Sequence, residues 1–226
     1  MLISKRYKDI FKQYLYKSGS TPFAIGTVVG CIFCFILLLM IMFTQFAISH
    51  NWVSFSFSEG FNIIKKTIPY GPQIPVVIFI IYLLGKRYSY AVFGLYLIIG
   101  LFFLPIFVFG GGLEYFKNYL FGYFLGYFLA VFTTGSMISY SQTVLARVIA
   151  AFLGVFSIHI VGFIYCILLA IFGKLDFSMI FPIANAISCA KIPYDLLFTT
   201  LILLAGPYIK SFFWVCMKPR FNKKKS

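Results

Sequence analysis

Six long apolar stretches, separated by short polar segments, constrain the fold of this chain more than any other feature of its sequence. They cover approximately residues 23–47, 74–85, 88–109, 119–140, 145–172 and 192–215. A helix that crosses a bilayer needs about 20 apolar residues, and all but the second stretch reach that length. Hydrophobic residues make up 62% of the 226, well above the share in soluble domains. The sequence therefore predicts an all-α integral membrane protein with six transmembrane helices in one domain, residues 1–226.

The second apolar stretch, 74–85, is the shortest of the six. Pro72 and Pro75 lie at its start, and proline interrupts a helix that continues through it. Three structures fit this pattern: a broken helix, a re-entrant segment, or a helix that extends upstream through the residues around Ile63. The residues between the first two stretches, about 48–73, are only weakly apolar and predict a loop.

The basic residues predict how the helices are oriented, because Lys and Arg concentrate in loops that remain in the cytoplasm. With six crossings and both termini cytoplasmic, the inner segments contain fourteen of the nineteen basic residues, most of them in an N-terminal segment, 1–20, and a C-terminal tail, 216–226. The outer segments contain the other five and three of the five acids: Lys65, Lys66, Lys117, Lys174, Lys191, Glu59, Glu114 and Asp176. The net charge of +14 therefore indicates orientation and contact with anionic headgroups rather than binding to nucleic acid.

Other sequence patterns exclude several functions. The basic N-terminal segment precedes an apolar run that is longer than the core of a secretory signal and lacks a cleavage pattern, so we expect a retained first helix rather than a removed signal. Cys31 and Cys34 have redox-motif spacing, but no charged residue accompanies them in their apolar stretch, which favours a packing role. No spacing typical of a metal site, a nucleophile elbow or a phosphate loop is present. We therefore expect no metal, no cofactor, no ATPase domain and no enzyme activity.

Asp195 is an unusual residue because the chain has only five carboxylates and this one lies just inside the last apolar stretch. Two interpretations fit its position. Pro193 and Asp195 suit the first turn of a helix, where the helix dipole favours an acid. Alternatively, the carboxylate is a hydrogen-bond acceptor that faces a cavity open to the outside, since ionisable residues within membranes mark functional sites.

Further polar residues are predicted at the depth of Asp195. Asn118 and Tyr123 lie at the outer end of the fourth stretch, and Tyr165 lies in the outer half of the fifth. Together with Tyr194 they form an aromatic cage around one carboxylate, which suits a small, mostly apolar ligand that carries hydrogen-bond donors. Tyrosines also collect at membrane interfaces without any ligand.

His159 lies near the middle of the fifth stretch, where it fits a hydrogen bond between helices as well as a proton relay. Its predicted depth differs from that of Asp195 by about half a bilayer, on the order of 15 Å. That gap is too wide for direct acid–base pairing, so we assign His159 no role. The gap also argues against an intramembrane enzyme, such as a lipid-modifying transferase, that would use both residues.

Two glycine patterns indicate close contacts. Gly111 and Gly112 end a run of three glycines after the third stretch, where the chain turns and can approach a ligand closely. Gly26 and Gly30 form a stripe of small residues on the first helix with Cys34. Such stripes pack against a neighbouring helix, either in the same chain or in a partner.

Taken in order, these segments resemble the BioY family over about 72–209. "YLIIGLFFLPIFVFGGG" is similar to the family's glycine, leucine-proline-valine-phenylalanine and glycine-rich turn, and "GYFLGYFLAVFTTG" to its helix of repeated glycine–aromatic pairs. "HIVGFIY" lies where the family carries a glycine in its fifth span. "IPYDLLF" falls on the last family motif, which is proline-glycine-aspartate, two apolar residues and lysine. Pro193 and Asp195 match this motif, whereas Tyr194 replaces the glycine and Phe198 replaces the lysine.

The resemblance implies the biotin-specific substrate-binding (S) component of an energy-coupling-factor (ECF) transporter. Such a component is a multi-pass protein of the bacterial cell membrane, or of a membrane of bacterial origin, and has no ATPase of its own. In that family the aspartate and lysine of the motif are associated with the ureido head of biotin. Asp195 would therefore bind the head of the ligand, and Tyr123 and Tyr165 would form the sides of the binding pocket. A transmembrane coupling protein and ATPase subunits would be its partners, contacted through small residues such as Gly26 and Gly30.

Two other hypotheses remain open. The ligand of the S component could be another small vitamin or precursor, because the motif lysine is replaced by Phe198. A membrane assembly factor with no small ligand is a different class of protein. It predicts that Asp195→Ala leaves function intact, whereas changes at Gly26 or Gly30 impair it.

Overall fold

The structure is a computed structural model that describes residues 25–56 and 60–216, most of them helical. Within these ranges the α-helices are α1 Ile25–Met42, α2 Gln73–Leu84, α3 Lys86–Phe102, α4 Leu120–Tyr140, α5 Val144–Ile171, α6 Phe177–Ala184 and α7 Ile192–Cys216. The other elements are the strands β1 Phe46–Ser56 and β2 Gly60–Tyr70, a 3₁₀ helix, Leu113–Lys117, and a π-helical turn, Asn185–Cys189. The predicted basic segment 1–20, and all of the predicted tail 216–226 except Cys216, lie outside the described residues.

The predicted helical membrane fold is confirmed. In the described part of the chain, three helical stretches are long and apolar enough to cross a membrane: Leu120–Tyr140, Val144–Ile171 and Phe177–Val215. Gly26–Met42 and Gln73–Leu84 are shorter apolar helices. Many large apolar side chains on these helices are exposed, which is the kind of surface that lipid covers in a membrane.

Helices α4 and α5 pack against each other more extensively than any other pair of helices described here. A Cβ atom added at Gly126 of α4 would lie 2.7 Å from the Cα of Ile158 on α5. One added at Gly162 of α5 would lie 2.6 Å from the ring of Tyr123. Only residues without a side chain permit such close contact. These glycines therefore set the distance between the two helices.

The short second apolar stretch forms a helix that is buried at the centre of the bundle. Nine of the twelve residues of α2 are buried, and the helix packs against α1, α4 and α7. Twelve residues span only about 18 Å at a rise of about 1.5 Å each, less than the hydrocarbon thickness of about 30 Å. Of the three alternatives for this stretch, the upstream extension through Ile63 is wrong, because β2 occupies that region and pairs antiparallel with β1, with Val53 opposite Ile63. The predicted loop at 48–73 is therefore a hairpin that leads directly into α2.

Helix α3 is shorter than the third apolar stretch, which predicts a helix to about residue 109. It ends at Phe102, and Pro105 follows, which cannot donate the backbone hydrogen bond of a continuing helix. The backbone of Phe107 then exchanges two hydrogen bonds with that of Gly110, at 2.9 and 3.0 Å. The Phe107 ring packs where Gly100 has no side chain. The chain after α3 thus folds back onto the helix instead of extending it.

The charge pattern predicts an outer loop before α7, but the residues there are helical. Phe177–Val215 is an apolar helical stretch of 39 residues, interrupted by the π-helical turn. Asp195 therefore lies 18 residues into this stretch, about 27 Å along it at a rise of about 1.5 Å per residue, and not at its beginning. Lys191, predicted to be in the outer loop, lies within the stretch as well.

Basic side chains lie together at the end of the bundle opposite the hairpin. Lys210 Nζ donates to the carbonyl of Tyr82 at 3.0 Å, and Arg147 Nη1 donates to the carbonyl of Leu204 at 3.4 Å. Lys86 Nζ lies 5.4 Å from the centre of an aromatic ring on α4. The sequence predicts that this end of the bundle faces the cytoplasm.

Candidate functional site

A cavity of about 200 Å³ lies at the hairpin end of the bundle. A cavity with mixed apolar and polar walls suits a small organic ligand. Its walls come from the start of α2, the turn after α3, the first two turns of α4, the middle of α5 and the chain around the start of α7. The lining residues are Gln45, Gly71, Gln73, Ile74, Val108, Phe109, Tyr119, Leu120, Tyr123, Phe124, Tyr127, Ile158, His159, Ile187, Lys191 and Asp195.

The Asp195 carboxylate lines this cavity and is held by two hydrogen bonds. Tyr70 Oη, at the end of β2, donates to Oδ1 at 2.9 Å. His159 Nε2, on α5, lies 3.2 Å from Oδ2. The side chains of His159 and Asp195 are only 4% and 2% exposed, and a buried carboxylate needs such partners because burial removes its hydration. The two contacts tie the hairpin, α5 and α7 together at one point.

The hydrogen-bonded chain continues from His159 to α4. His159 Nδ1 lies 3.0 Å from Ser188 Oγ, which lies 2.8 Å from Tyr123 Oη. The polar hydrogens have a consistent assignment: Tyr123 donates to Ser188, Ser188 donates to Nδ1, and Nε2 carries the proton that the Asp195 carboxylate accepts.

Local sequence explains why these side chains meet. Ser188 belongs to the π-helical turn, and such turns commonly occur at functional sites because they reorient side chains within a helix. Gly162 leaves room for the Tyr123 ring beside α5. Phe198, one turn after Asp195, stacks on the Tyr70 ring with 5.6 Å between ring centres. Burial, and then the nearby Asp195 carboxylate, raise the pKa of the Tyr70 hydroxyl above its ordinary value, so it remains a donor at neutral pH.

Of the residues that the sequence predicts for the ligand site, Asp195 and Tyr123 line the cavity. Tyr194 lies beside the cavity wall, with its ring centre 5.8 Å from that of Tyr70. Asn118 Oδ1 accepts a hydrogen bond from the backbone of Leu120 at the start of α4. Asn118 and Tyr194 are therefore near the site but are not among its lining residues.

Tyr165 and the glycine run also lie outside the cavity lining. The Tyr165 hydroxyl donates to the carbonyl of Phe116 and its ring packs against α4. Gly112 donates its backbone N–H to the carbonyl of Gly100 at 2.9 Å. A Cβ at Gly111 would lie 2.6 Å from the same carbonyl oxygen. The glycine run thus makes its close approach to α3, and it positions the turn that carries Val108 and Phe109.

The small residues of α1 are partly occupied within the chain itself. A Cβ at Gly30 would lie 3.3 Å from the ring of Phe213 on α7 and 3.7 Å from Leu84 on α2. Gly26 is half-buried. Gly30 therefore packs against the chain's own helices, whereas Gly26 lies one turn nearer the start of α1.

The predicted separation of His159 and Asp195 by about 15 Å is wrong, because the two side chains are 3.2 Å apart. The prediction placed Asp195 at the membrane surface, but the helical segment before α7 brings it as deep as His159. One signal in the sequence could have found the pair: ionisable residues within membrane helices tend to pair with one another. Tyr70, Ser188 and Lys191 are further cavity-region residues that the sequence argument did not identify.

The arrangement provides an acceptor, several donors and apolar walls. It can bind the N–H or O–H groups of a small ligand at Asp195 and enclose its apolar part between Tyr127, Phe124 and Ile158. Across the residues that the structure describes, no group of three or more His, Cys, Asp or Glu side chains could hold a metal ion. The polar side chains that line the cavity offer hydrogen bonding and charge pairing to a ligand.

Comparison with solved structures shows the same kind of fold. The chain is similar to a crystal structure described as the S-component for biotin from an ECF-type ABC transporter, with 21% sequence identity and a TM-score of 0.58. The similarity covers 81% of this chain and 90% of that chain. The two chains therefore share the same helical fold. The model of the BioY family matches residues 36–214, and the protein belongs to the BioY family. A comparison with curated proteins found no match.

Proposed function

We propose that this protein is the S component of an ECF-type vitamin transporter and that it binds biotin in the cavity beside Asp195. The observation that carries the proposal is the buried Asp195 carboxylate, which faces a cavity of about 200 Å³ and is held by His159 and Tyr70. Its remaining lone pairs can accept hydrogen bonds from the two N–H groups of the ureido ring of biotin. The crystal structure with the similar fold is described as an S-component for biotin, which supports this ligand.

His159 takes the place of the motif lysine as the partner of Asp195, but from a different helix. The motif lysine is replaced by Phe198, whose ring stacks on Tyr70. The imidazole of His159 instead reaches the carboxylate from α5 at 3.2 Å. A buried carboxylate can thus keep a charged or hydrogen-bonding partner even though the motif position is aromatic.

The orientation follows from the charges at the two ends of the bundle. Lys86, Arg87, Arg147 and Lys210 lie at the end opposite the cavity, which we assign to the cytoplasm of a bacterial cell. The cavity then opens toward the outside, as uptake requires. A transmembrane coupling protein and ATPase subunits would supply the energy, and the half-buried Gly26 on α1 is a candidate contact for them.

Biotin binding to purified full-length protein in detergent, measured by isothermal titration calorimetry, tests the proposal. We expect the wild-type protein to bind biotin at micromolar concentration or below. Asp195→Ala should weaken binding at least about 30-fold, or about 2 kcal/mol, because the ligand loses its buried acceptor. Asp176→Ala is the matched control, since Asp176 is exposed just before α6, and it should bind as the wild type does.

The outcomes separate the remaining alternatives. If the wild type fails to bind biotin but another vitamin competes for the cavity, the protein is an S component with a different ligand. An assembly factor predicts that Asp195→Ala leaves function in cells intact while a bulky residue at Gly26 abolishes it. Either result would contradict biotin as the ligand.

One feature resembles the site of an intramembrane hydrolase, but its geometry argues against that function. Ser188, His159 and Asp195 are connected like a catalytic triad, but with the two ring nitrogens of the histidine exchanged. Ser188 is buried, is absent from the cavity lining and shares its hydroxyl with Tyr123, so a substrate in the cavity cannot reach it. Ser188→Ala should therefore leave biotin binding within about tenfold of the wild-type value, since a neutral hydrogen bond contributes about 0.5–1.5 kcal/mol.

A further inference from the structure

The two oppositely charged residues that line the cavity do not form an ion pair with each other. Lys191 and Asp195 both line it, one turn apart at the junction between the π-helical turn and α7. Asp195 has two partners, Tyr70 and His159. No carboxylate of the described residues lies within 4.0 Å of Lys191 Nζ, because the ion pairs found there are Lys117–Glu114 and His159–Asp195.

The Lys191 ammonium also makes no hydrogen bond to the part of the chain that the structure describes. Its backbone is fully engaged: its N–H donates to Ser188 at 3.0 Å and its carbonyl accepts from Asp195 at 2.9 Å. These two bonds fix the lysine at the rim of the cavity while its side chain remains half-buried against the cavity wall. A half-buried ammonium loses part of its hydration. The Asp195 carboxylate attracts it only from beyond ion-pair distance, so an anion that enters the cavity gains from pairing with it directly.

From this charge arrangement we infer that Lys191 determines specificity by binding the carboxylate of the ligand. The inference rests on the proposed function and extends it. The ligand is then a small monoanion with two different ends: hydrogen-bond donors that face Asp195 and an anionic group that pairs with Lys191. Biotin, with its ureido ring and its carboxylate side chain, belongs to this class. Neutral esters and amides of such acids do not.

Lys191 and Asp195 can serve the two ends of one ligand because they are separate. They lie at positions i and i+4, so their Cβ atoms are about 6 Å apart, yet their charged atoms are more than 4.0 Å apart, beyond ion-pair distance. In this order, lysine before aspartate, the pair gains little from the helix. Asp195 is instead directed toward Tyr70 and His159, and Lys191 is left to the ligand.

The test compares biotin with biotin methyl ester, which keeps the ureido ring and removes the negative charge. Affinities are measured by isothermal titration calorimetry with full-length protein in detergent. Wild-type protein should bind biotin at least about tenfold more tightly than the ester. Lys191→Met should lose this preference, with about tenfold weaker binding of biotin and unchanged binding of the ester, whereas Lys191→Arg should keep it. Lys174→Met, at an exposed lysine between α5 and α6, is the matched control and should behave as the wild type.

The results that would overturn the inference differ from those that would overturn the proposed function. If wild-type protein binds biotin and its methyl ester equally, or if Lys191→Met keeps the preference for biotin, the inference fails while biotin binding stands. If wild-type protein binds neither compound, the proposed ligand is wrong and the inference fails with it. A melting temperature for each variant close to that of the wild type shows that the substitutions leave the fold intact.

Discussion

The two sides of α5 differ in the way they pack. On one side α5 meets α4 through glycines, with backbone almost touching backbone at Gly126 and Ile158. On its other side it meets the stretch Phe177–Val215 through polar groups, with His159 bonded to Ser188 and Asp195. The first contact is regular and mostly apolar, and the second is interrupted by a π-helical turn. The comparison shows that close packing holds the helices together on one side. On the other side, hydrogen bonds position the side chains that line the ligand cavity.

The largest effect is expected where the apolar contact is disrupted. Gly126→Leu would place a side chain into the backbone of Ile158, so the two helices must separate, and we expect more than the cost of about 1–3 kcal/mol that is typical of overpacking. Little folded protein should elute from a sizing column. Gly94→Leu on α3 is the control, since a Cβ there meets nothing within 4 Å. Equal melting temperatures for the two variants would show that α4 and α5 are not in close contact.

A double-mutant cycle measures the strength of the polar contact. His159→Ala removes one partner of the buried Asp195 carboxylate and should destabilise the protein by about 3 kcal/mol. Asp195→Asn should cost a similar amount, but the double variant should cost clearly less than the sum, with a coupling energy of about 1–2 kcal/mol. Unfolding in a mixed detergent system provides the free energies. Strict additivity would show that the two side chains do not interact.

The hairpin contributes less than His159 to the free energy of unfolding, through the hydrogen bond from Tyr70 to Asp195. Tyr70→Phe removes one hydrogen bond to the Asp195 carboxylate and should lower the free energy of unfolding by about 1.5–3 kcal/mol, the range for bonds to charged groups. Tyr90→Phe is a suitable control, because the Tyr90 ring is 37% exposed and stacks on Phe128. It should change the free energy by less than about 0.5 kcal/mol. A similar small effect for both variants would mean that the hairpin does not stabilise the site.

The smallest effect compares two buried serines, one on each side of α5. Ser188→Ala leaves His159 Nδ1 and Tyr123 Oη without their shared partner and should cost about 1 kcal/mol. Ser157 Oγ bonds to Leu153 in its own helix and to Thr133, so Ser157→Ala should cost less than about 0.5 kcal/mol. Thermal melts of the two variants provide the comparison. The opposite ranking would place the more important polar contact on the α4 side.

The regular side of the bundle was predictable from the sequence. The apolar stretches 119–140 and 145–172 agree within one residue at each end with α4 and α5, because long uninterrupted apolar runs with polar ends leave few alternatives. The last stretch also matches α7 at its start. Family membership was likewise predictable, since the matching motifs lie on these helices.

The polar side was harder to predict. Pro182, Asn185, Ser188 and Lys191 give the residues before α7 the composition of a loop, although an apolar helix continues through them to Val215. Their helical structure depends on tertiary contacts, which single-sequence patterns do not contain. The error in this segment displaced Asp195 and hid its pairing with His159. The hairpin did leave a signal, the alternation of apolar and polar residues in "VSFSF", which is typical of a strand.

The polar residues of the stretch Phe177–Val215 also bear on how the chain enters the bilayer during synthesis. Lys191 and Asp195 would each cost about 2.5–3.5 kcal/mol at the centre of an isolated helix leaving the translocon. His159 lies on α5, which is synthesised earlier, and it can bind the Asp195 carboxylate only after α5 has inserted into the membrane. We therefore expect membrane integration of the C-terminal stretch to depend on α5. The contact between His159 and Asp195 would then serve both ligand binding and the insertion of the last helix.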